Sequence, residues 1–166
     1  MVKIRPMMDD DRDMLVPLLA HFRVTMSRFH GRALPTNFAE ADREMQGYTE
    51  PNYRIFIAEN EEQFPIAFLV CRIVDNVVWA ESLFVLPDYR RQGIGSSLFE
   101  QAQMVAEELG GETVYNWVHP NNERMIAFLQ RHGYRVLNLI EIRKATSDEG
   151  QMTPIKVGLN RFDYCC

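Results

Sequence analysis

A strand that stops at a proline, a short basic loop and a glycine-opened helix follow one another in Val85-Leu86-Pro87-Asp88-Tyr89-Arg90-Arg91-Gln92-Gly93-Ile94-Gly95-Ser96-Ser97-Leu98. No other feature constrains the fold as much. Val77 to Leu86 (VVWAESLFVL) is apolar enough for a sheet interior, and Pro87 closes it because proline cannot donate to a strand ladder. From Gly93 the apolar period becomes helical, through Ile94, Leu98, Ala102, Val105 and Leu109, until Gly110-Gly111 ends it. Glycines allow a sharp turn and a close ligand approach. The first N–H groups of a helix have no internal partner and carry the positive end of its dipole. The turn therefore suits an anion such as a pyrophosphate, with Arg90 and Arg91 adding charge. A surface loop with a glycine-eased helix start is the plainer alternative. Two better-known glycine loops fit poorly. The dinucleotide fingerprint G-x-G-x-x-G meets Leu98 at its third position, and no Gly-Lys-Ser/Thr is present for a P-loop.

Around this segment the pattern alternates strands and helices. Lys3 to Pro6 reads as a strand, and Asp9-Asp10-Asp11 as the cap of a helix to about Phe29. A weaker helix follows from Pro35 to about Gln46. Arg54 to Glu59 and Phe64 to Val74 read as strands, and Asp75-Asn76 as a tight turn. After the glycine-opened helix come a strand from Glu112 to Val118 and a helix capped by Asn121 or Asn122. A strand from Tyr134 to Ile142, a polar loop from Thr146 to Gln151 and a possible last strand from Thr153 to Leu159 complete the pattern. A meander followed by crossover helices implies an α/β fold with a mixed sheet and helices on both faces.

At 166 residues the chain fits one domain over 1–166, with 145–166 a final strand or a tail. Eighteen Lys plus Arg against 23 Asp plus Glu leaves a charge of −5, which argues against nucleic acid as a partner. Cys71, Cys165 and Cys166 offer no metal-ligand spacing, so no metal is expected. No apolar run approaches the ~20 residues that span a bilayer, so no membrane partner is expected and a reducing cytoplasm is the expected location.

The segment Val85-Leu86-Pro87 with Arg90-Arg91-Gln92-Gly93-Ile94-Gly95 resembles the acetyl-CoA signature of the GCN5-related N-acetyltransferase (GNAT) family, Gln/Arg-x-x-Gly-x-Gly/Ala after a strand ending Val-x-Pro. A second family stretch begins at an Asn and ends in Gly-Phe. It is matched by Asn122 through Gly133-Tyr134, and the element order matches from residue 1 to about 144.

The resemblance implies a mostly antiparallel sheet of six to seven strands with a splayed central pair that receives acetyl-CoA. Backbone amides of Arg91, Gln92, Gly93, Gly95 and Ser96, with Arg90 and Ile94 in the same loop, would hold the pyrophosphate. Leu83, Phe84 and Val85 would line the pantetheine arm as an added strand does, and Asn122 would meet it from the other side or simply cap its helix. The implied function is N-acetyl transfer to a primary amine of a small molecule or peptide. The alternative is a catalytically weak acyl-CoA-binding or regulatory module. Homodimers are common in the family.

A protonated amine needs a base, and the oxyanion needs a donor. The resemblance offers Glu81 for the first, with a solvent-facing strand residue or a partner for an Arg as its alternative, and the Leu83 N–H for the second. Two residues apart on one strand, these two are expected to face the same side. The family's usual acid, a Tyr seven residues after the motif Asn, is Leu129 here. Tyr134, Tyr115, His119 and His132 are conceivable substitutes, while Trp117 stands where some members place a base. Cys71 reads as a buried structural thiol rather than a nucleophile.

Overall fold

The computed structural model describes residues 2–145 and 152–165. The element order is β1 (Lys3–Pro6), α1 (Arg12–Phe29), α2 (Phe38–Gly47), β2 (Tyr53–Glu59), β3 (Pro65–Val74), β4 (Val77–Val85), α3 (Ile94–Glu108), β5 (Val114–Tyr115), α4 (Glu123–Arg131), β6 (Met152–Val157) and β7 (Asn160–Cys165). The chain divides into two compact units. One comprises residues 1–24 and 35–117; the other comprises 25–34 and 118–166.

The first unit holds a five-stranded sheet in the order β1-β2-β3-β4-β5. β1 to β4 pair antiparallel, and β5 joins β4 in parallel. β3 is buried continuously from Pro65 to Cys71, as befits a central strand covered on both faces. Asp75 and Asn76 both take positive φ, 51° and 63°, the conformation that turns β3 into β4 in two residues.

The two covers follow from the register. Phe68 and Phe84 stand opposite each other on β3 and β4, and Phe22 of α1 meets both rings edge-on at centroid distances of 5.9 and 6.0 Å. Tyr53, opposite Arg72, packs against Tyr48 at the end of α2. This face therefore carries α1 and α2. Arg54 and Cys71 point the other way, where Arg54 pairs with Glu108 of α3 at 2.5 Å. α3 buries Leu98, Phe99 and Ala102 completely. Removing the Phe99 ring leaves a cavity, so Phe99→Ala is expected to lower unfolding free energy by about 3–5 kcal/mol, read as a lower urea midpoint at unchanged slope.

The second unit holds α4 and the β6–β7 hairpin, which turns at Gly158 (φ 60°). The expected strand from Tyr134 to Ile142 is not formed. Val136, Leu137, Leu139 and Ile142 are instead exposed, and no strand among the described residues pairs with this run. The expected strand from Glu112 to Val118 is only Val114–Tyr115. The expected final strand has become one arm of a two-stranded hairpin, because residues from Asn160 onward return antiparallel to it. The polar loop expected at Thr146 to Gln151 lies outside the described residues, as does Cys166. No helix among the described residues is long and apolar enough to cross a membrane, and no group of three metal-ligating side chains occurs among them.

Candidate active site

The site is built where β4 and β5 part. They pair only through Val78↔Val114 and Trp79↔Tyr115, so beyond Trp79 the β5-side edge of β4 has no strand against it among the described residues. The Leu86 N–H donates to the Ile66 carbonyl at 3.0 Å, on the β3 side. By alternation Phe84 also turns its backbone to β3, while Leu83 and Val85 turn theirs to the open edge. Phe84 is therefore directed away from that edge, and its ring is buried against Phe22 and Phe68.

The open edge leads into the glycine loop. Pro87–Tyr89 forms a single 3₁₀ turn, and Arg91 and Gly93 both take positive φ, 65° and 85°. The first backbone bond of α3 is Ser97 N–H to the Gly93 carbonyl at 3.0 Å. The amides of Ile94 and Gly95, inside the first turn, are thus left to an acceptor outside the helix. Arg90 does not reach outward. Its Nε donates to the Val85 carbonyl at 2.8 Å and its guanidinium lies over Phe84 at 5.6 Å. That carbonyl, expected to be open to an added chain, is already engaged. Gln92 donates to the Asp88 carbonyl at 3.3 Å.

Glu81 occupies a β-bulge. Val70 pairs with Ser82 and Cys71 with Ala80, so Glu81 is the extra residue on β4. The bulge changes the expected geometry. Leu83 stands opposite Leu69, which shares a face of β3 with Cys71. Glu81 instead pairs with Arg72 (Nε to Oε2 3.2 Å), and Arg72 stands on the other face, opposite Trp79. The Glu81 carboxylate thus lies on the face of α1 and α2, away from the Leu83 side chain, while the Leu83 backbone lies on the open edge between the two faces.

A family model described as Acetyltransferase (GNAT) family matches residues 19–134. The chain belongs to this family. It is 30% identical over 84 residues to an uncharacterized N-acetyltransferase of Methanocaldococcus jannaschii, covering 46% of this chain and 37% of that protein. Identity to the peptidyl-lysine N-acetyltransferase YjaB of Escherichia coli is 28% over 92 residues, covering 55% and 56%. The chain thus spans only 37% and 56% of these relatives' lengths. The fold superposes on the aminoglycoside antibiotic 6'-N-acetyltransferase AAC(6')-Ih of Acinetobacter baumannii with a TM-score of 0.67 at 21% identity, covering 89% of this chain and 100% of that one. For the aminoglycoside N-acetyltransferase AAC(6')-Iy in complex with CoA the TM-score is 0.68 at 20% identity, covering 88% and 96%.

The remaining GNAT positions divide clearly. Leu129, at the usual acid position, is buried in α4. Asn122 caps α4 by accepting from the Met125 N–H at 3.1 Å. His119, in the second unit, accepts the Asn121 N–H on Nδ1 at 3.1 Å, and burial beside His30 pushes its proton affinity down. A neutral imidazole whose Nδ1 is already used is poorly suited to donate a proton. His132 packs on Phe128, and Tyr115 stacks on Trp79. Burial pushes the Cys71 thiol up to about 12, which removes it as a nucleophile at neutral pH.

Two groupings of side chains come from the tertiary structure. Tyr48 donates to Glu44 Oε1 at 2.5 Å, Glu44 is also paired with Arg23, and Ser82 adjoins the same phenol. Burial and Glu44 push this phenol's proton affinity up, so it stays protonated and ties α2 to β4. The second group is Arg72 with an aromatic stack. Trp79 lies 5.1 Å from Tyr115 and 4.7 Å from Trp117, and the Arg72 guanidinium sits 4.8 Å above Trp117.

Proposed function

We propose that this protein transfers the acetyl group of acetyl-CoA to a primary amine by direct attack through a tetrahedral intermediate. One observation carries the reading: the edge of β4, unpaired among the described residues, runs straight into a helix start where the Ile94 and Gly95 amides have no acceptor within the helix, beside a part-buried carboxylate. The loop from Arg91 to Ser96 would hold the pyrophosphate through its backbone amides, and the Leu83 backbone would pair with the pantetheine arm. Glu81, directly or through water, takes one proton from the ammonium of the acceptor. The freed nitrogen attacks the thioester carbon, and the Leu83 N–H stabilises the oxyanion. The C–N bond then completes as the C–S bond breaks. The second amine proton reaches the departing thiolate through water, and Glu81 returns its proton to solvent. Acceptors named for the relatives, a peptidyl lysine and aminoglycosides, support the amine class without choosing within it.

Thiol release with a panel of amines and peptides tests the reading, and no release above background with any of them sinks it. Buried Leu129 in place of a tyrosine favours a second reading, an acyl-CoA-binding module with little turnover. Acetyl-CoA binding by calorimetry without any release would select it.

Gly93 tests the loop separately. An added Cβ would meet nothing within 4 Å, so the constraint is its φ of 85°, which costs an L-residue about 1–2 kcal/mol. Gly93→Ala is expected to weaken acetyl-CoA binding roughly 5- to 30-fold as the loop relaxes and its amides diverge. Unchanged calorimetric affinity would remove the loop from the binding site.

A further inference from the structure

Arg72 and Glu81 form an ion pair that lacks hydrogen bonds. Their side chains are one-quarter exposed, and Nε lies 3.2 Å from Oε2. Both of those atoms are nevertheless buried without a hydrogen-bond partner, because the contact is poorly aligned. Arg72 has no other polar partner among the described residues; its second contact is the face of Trp117. A guanidinium presents five donors in a fixed fork, and a carboxylate presents acceptors only. Nε and Oε2 face each other and are closed to a ligand, but the terminal nitrogens of Arg72 and Oε1 of Glu81 are not buried in this way, so a ligand carrying the complementary groups can reach them. Glu81 calls for a donor cation. Arg72 calls for a planar acceptor anion. The two needs lie side by side, and beside them Trp117 is 61% exposed.

We propose that the acceptor is a free α-amino acid with a large apolar or aromatic side chain. This rests on the acetyl-transfer reading and names its substrate class. The ammonium would face Glu81, the carboxylate would engage the Arg72 fork, and the side chain would lie on the outer face of Trp117. Four charges then alternate in sign around a closed array. A polycation would bring like charge against Arg72, and a simple amine or a peptide N-terminus would leave the fork without its anion. The reaction also provides release. Acetylation converts the ammonium to a neutral amide, with one proton passed to Glu81 and the other to the thiolate, so the product loses the charge that completed the array.

L-Phenylalanine, L-phenylalaninamide and 2-phenylethylamine share one ring and one amine and differ at the carboxylate. At saturating acetyl-CoA, kcat/KM for the free amino acid is expected to exceed both others by tenfold or more. Arg72→Met keeps an apolar cover on Trp117 and should collapse that ratio to about one, mainly through KM, while Arg72→Lys restores part of it. A purely structural role would lower all three rates together and leave the ratio intact. Equal use of the three acceptors by the wild type, preference for the amine, or an intact ratio in Arg72→Met overturns the proposal. If no acceptor releases CoA, the transfer reading fails, and the array is judged by calorimetric binding of L-phenylalanine in the presence of CoA. Binding lost in Arg72→Met supports it, and absence of binding in the wild type overturns it.

Discussion

Glu81→Gln is expected to lower kcat by about a hundredfold or more, with KM for acetyl-CoA nearly unchanged. A positioned base contributes roughly 10²–10⁴-fold. The amide keeps the shape of the carboxylate but cannot take the ammonium proton. The donor is held elsewhere, by backbone groups at the open edge and the glycine loop, so its KM should stay. Stability is expected to change little, because among the described residues Glu81 has no hydrogen-bond partner for its buried Oε2 and one polar partner, Arg72, which keeps its seat over Trp117. Initial rates of wild type and variant at saturating acetyl-CoA decide the matter. A variant within threefold of the wild type would take Glu81 out of the base role.

A large stability effect is expected at Asp11. Asp11 is 2% exposed and receives both terminal nitrogens of Arg5, at 2.6 and 2.8 Å, and the Met8 N–H at 2.7 Å. Arg5 continues to Glu59 (2.9 Å), which Lys3 also reaches at 3.3 Å. Asp11→Asn removes one charge from this set and leaves the part-buried Arg5 with Glu59 as its remaining acidic partner, which costs about 3 kcal/mol. The pH dependence has a definite sign. The Arg5 guanidinium holds the Asp11 carboxyl below its ordinary value. A group with a depressed folded value adds stability that is complete above its unfolded value, about 3.9, and is lost as pH falls through the folded one. The gap between wild type and Asp11→Asn should therefore be full at pH 7 and narrow as pH drops below about 4. Urea midpoints at pH 7, 4 and 2.5 measure it. A gap that is constant across these values would mean that Asp11 acts by shape rather than by charge.

Local features of the site were legible because each is encoded by neighbours in the chain. The strand stop at Pro87, the positive-φ glycine at 93, the helix period that follows it and the Asn122 cap all depend on residues within a few positions of one another. The two-residue turn at Asp75-Asn76 is of the same kind. Elements whose existence depends on a distant partner were not legible. Tyr134 to Ile142 has the composition of a strand, but a strand forms only where another edge accepts its backbone bonds. The β6–β7 hairpin likewise depends on a return by residues that carry little pattern.

The candidate site divides along the same line. By itself the sequence determined that a glycine-opened helix follows a strand ending in proline, and that one carboxylate, Glu81, interrupts that strand. Which way Glu81 faces was decided by the bulge. Strand alternation put it beside Leu83, but one extra residue between Ala80 and Ser82 turns it to the opposite face, toward α1 and α2. The sequence assigned no role to Arg72. It lies nine positions from Glu81 and forty-five from Trp117, and only the pairing of β3 with β4 and of β4 with β5 brings the three together. The register across a sheet is a balance of packing over every strand at once. A motif can therefore specify where the donor is held, while the choice of acceptor waits on the assembled sheet.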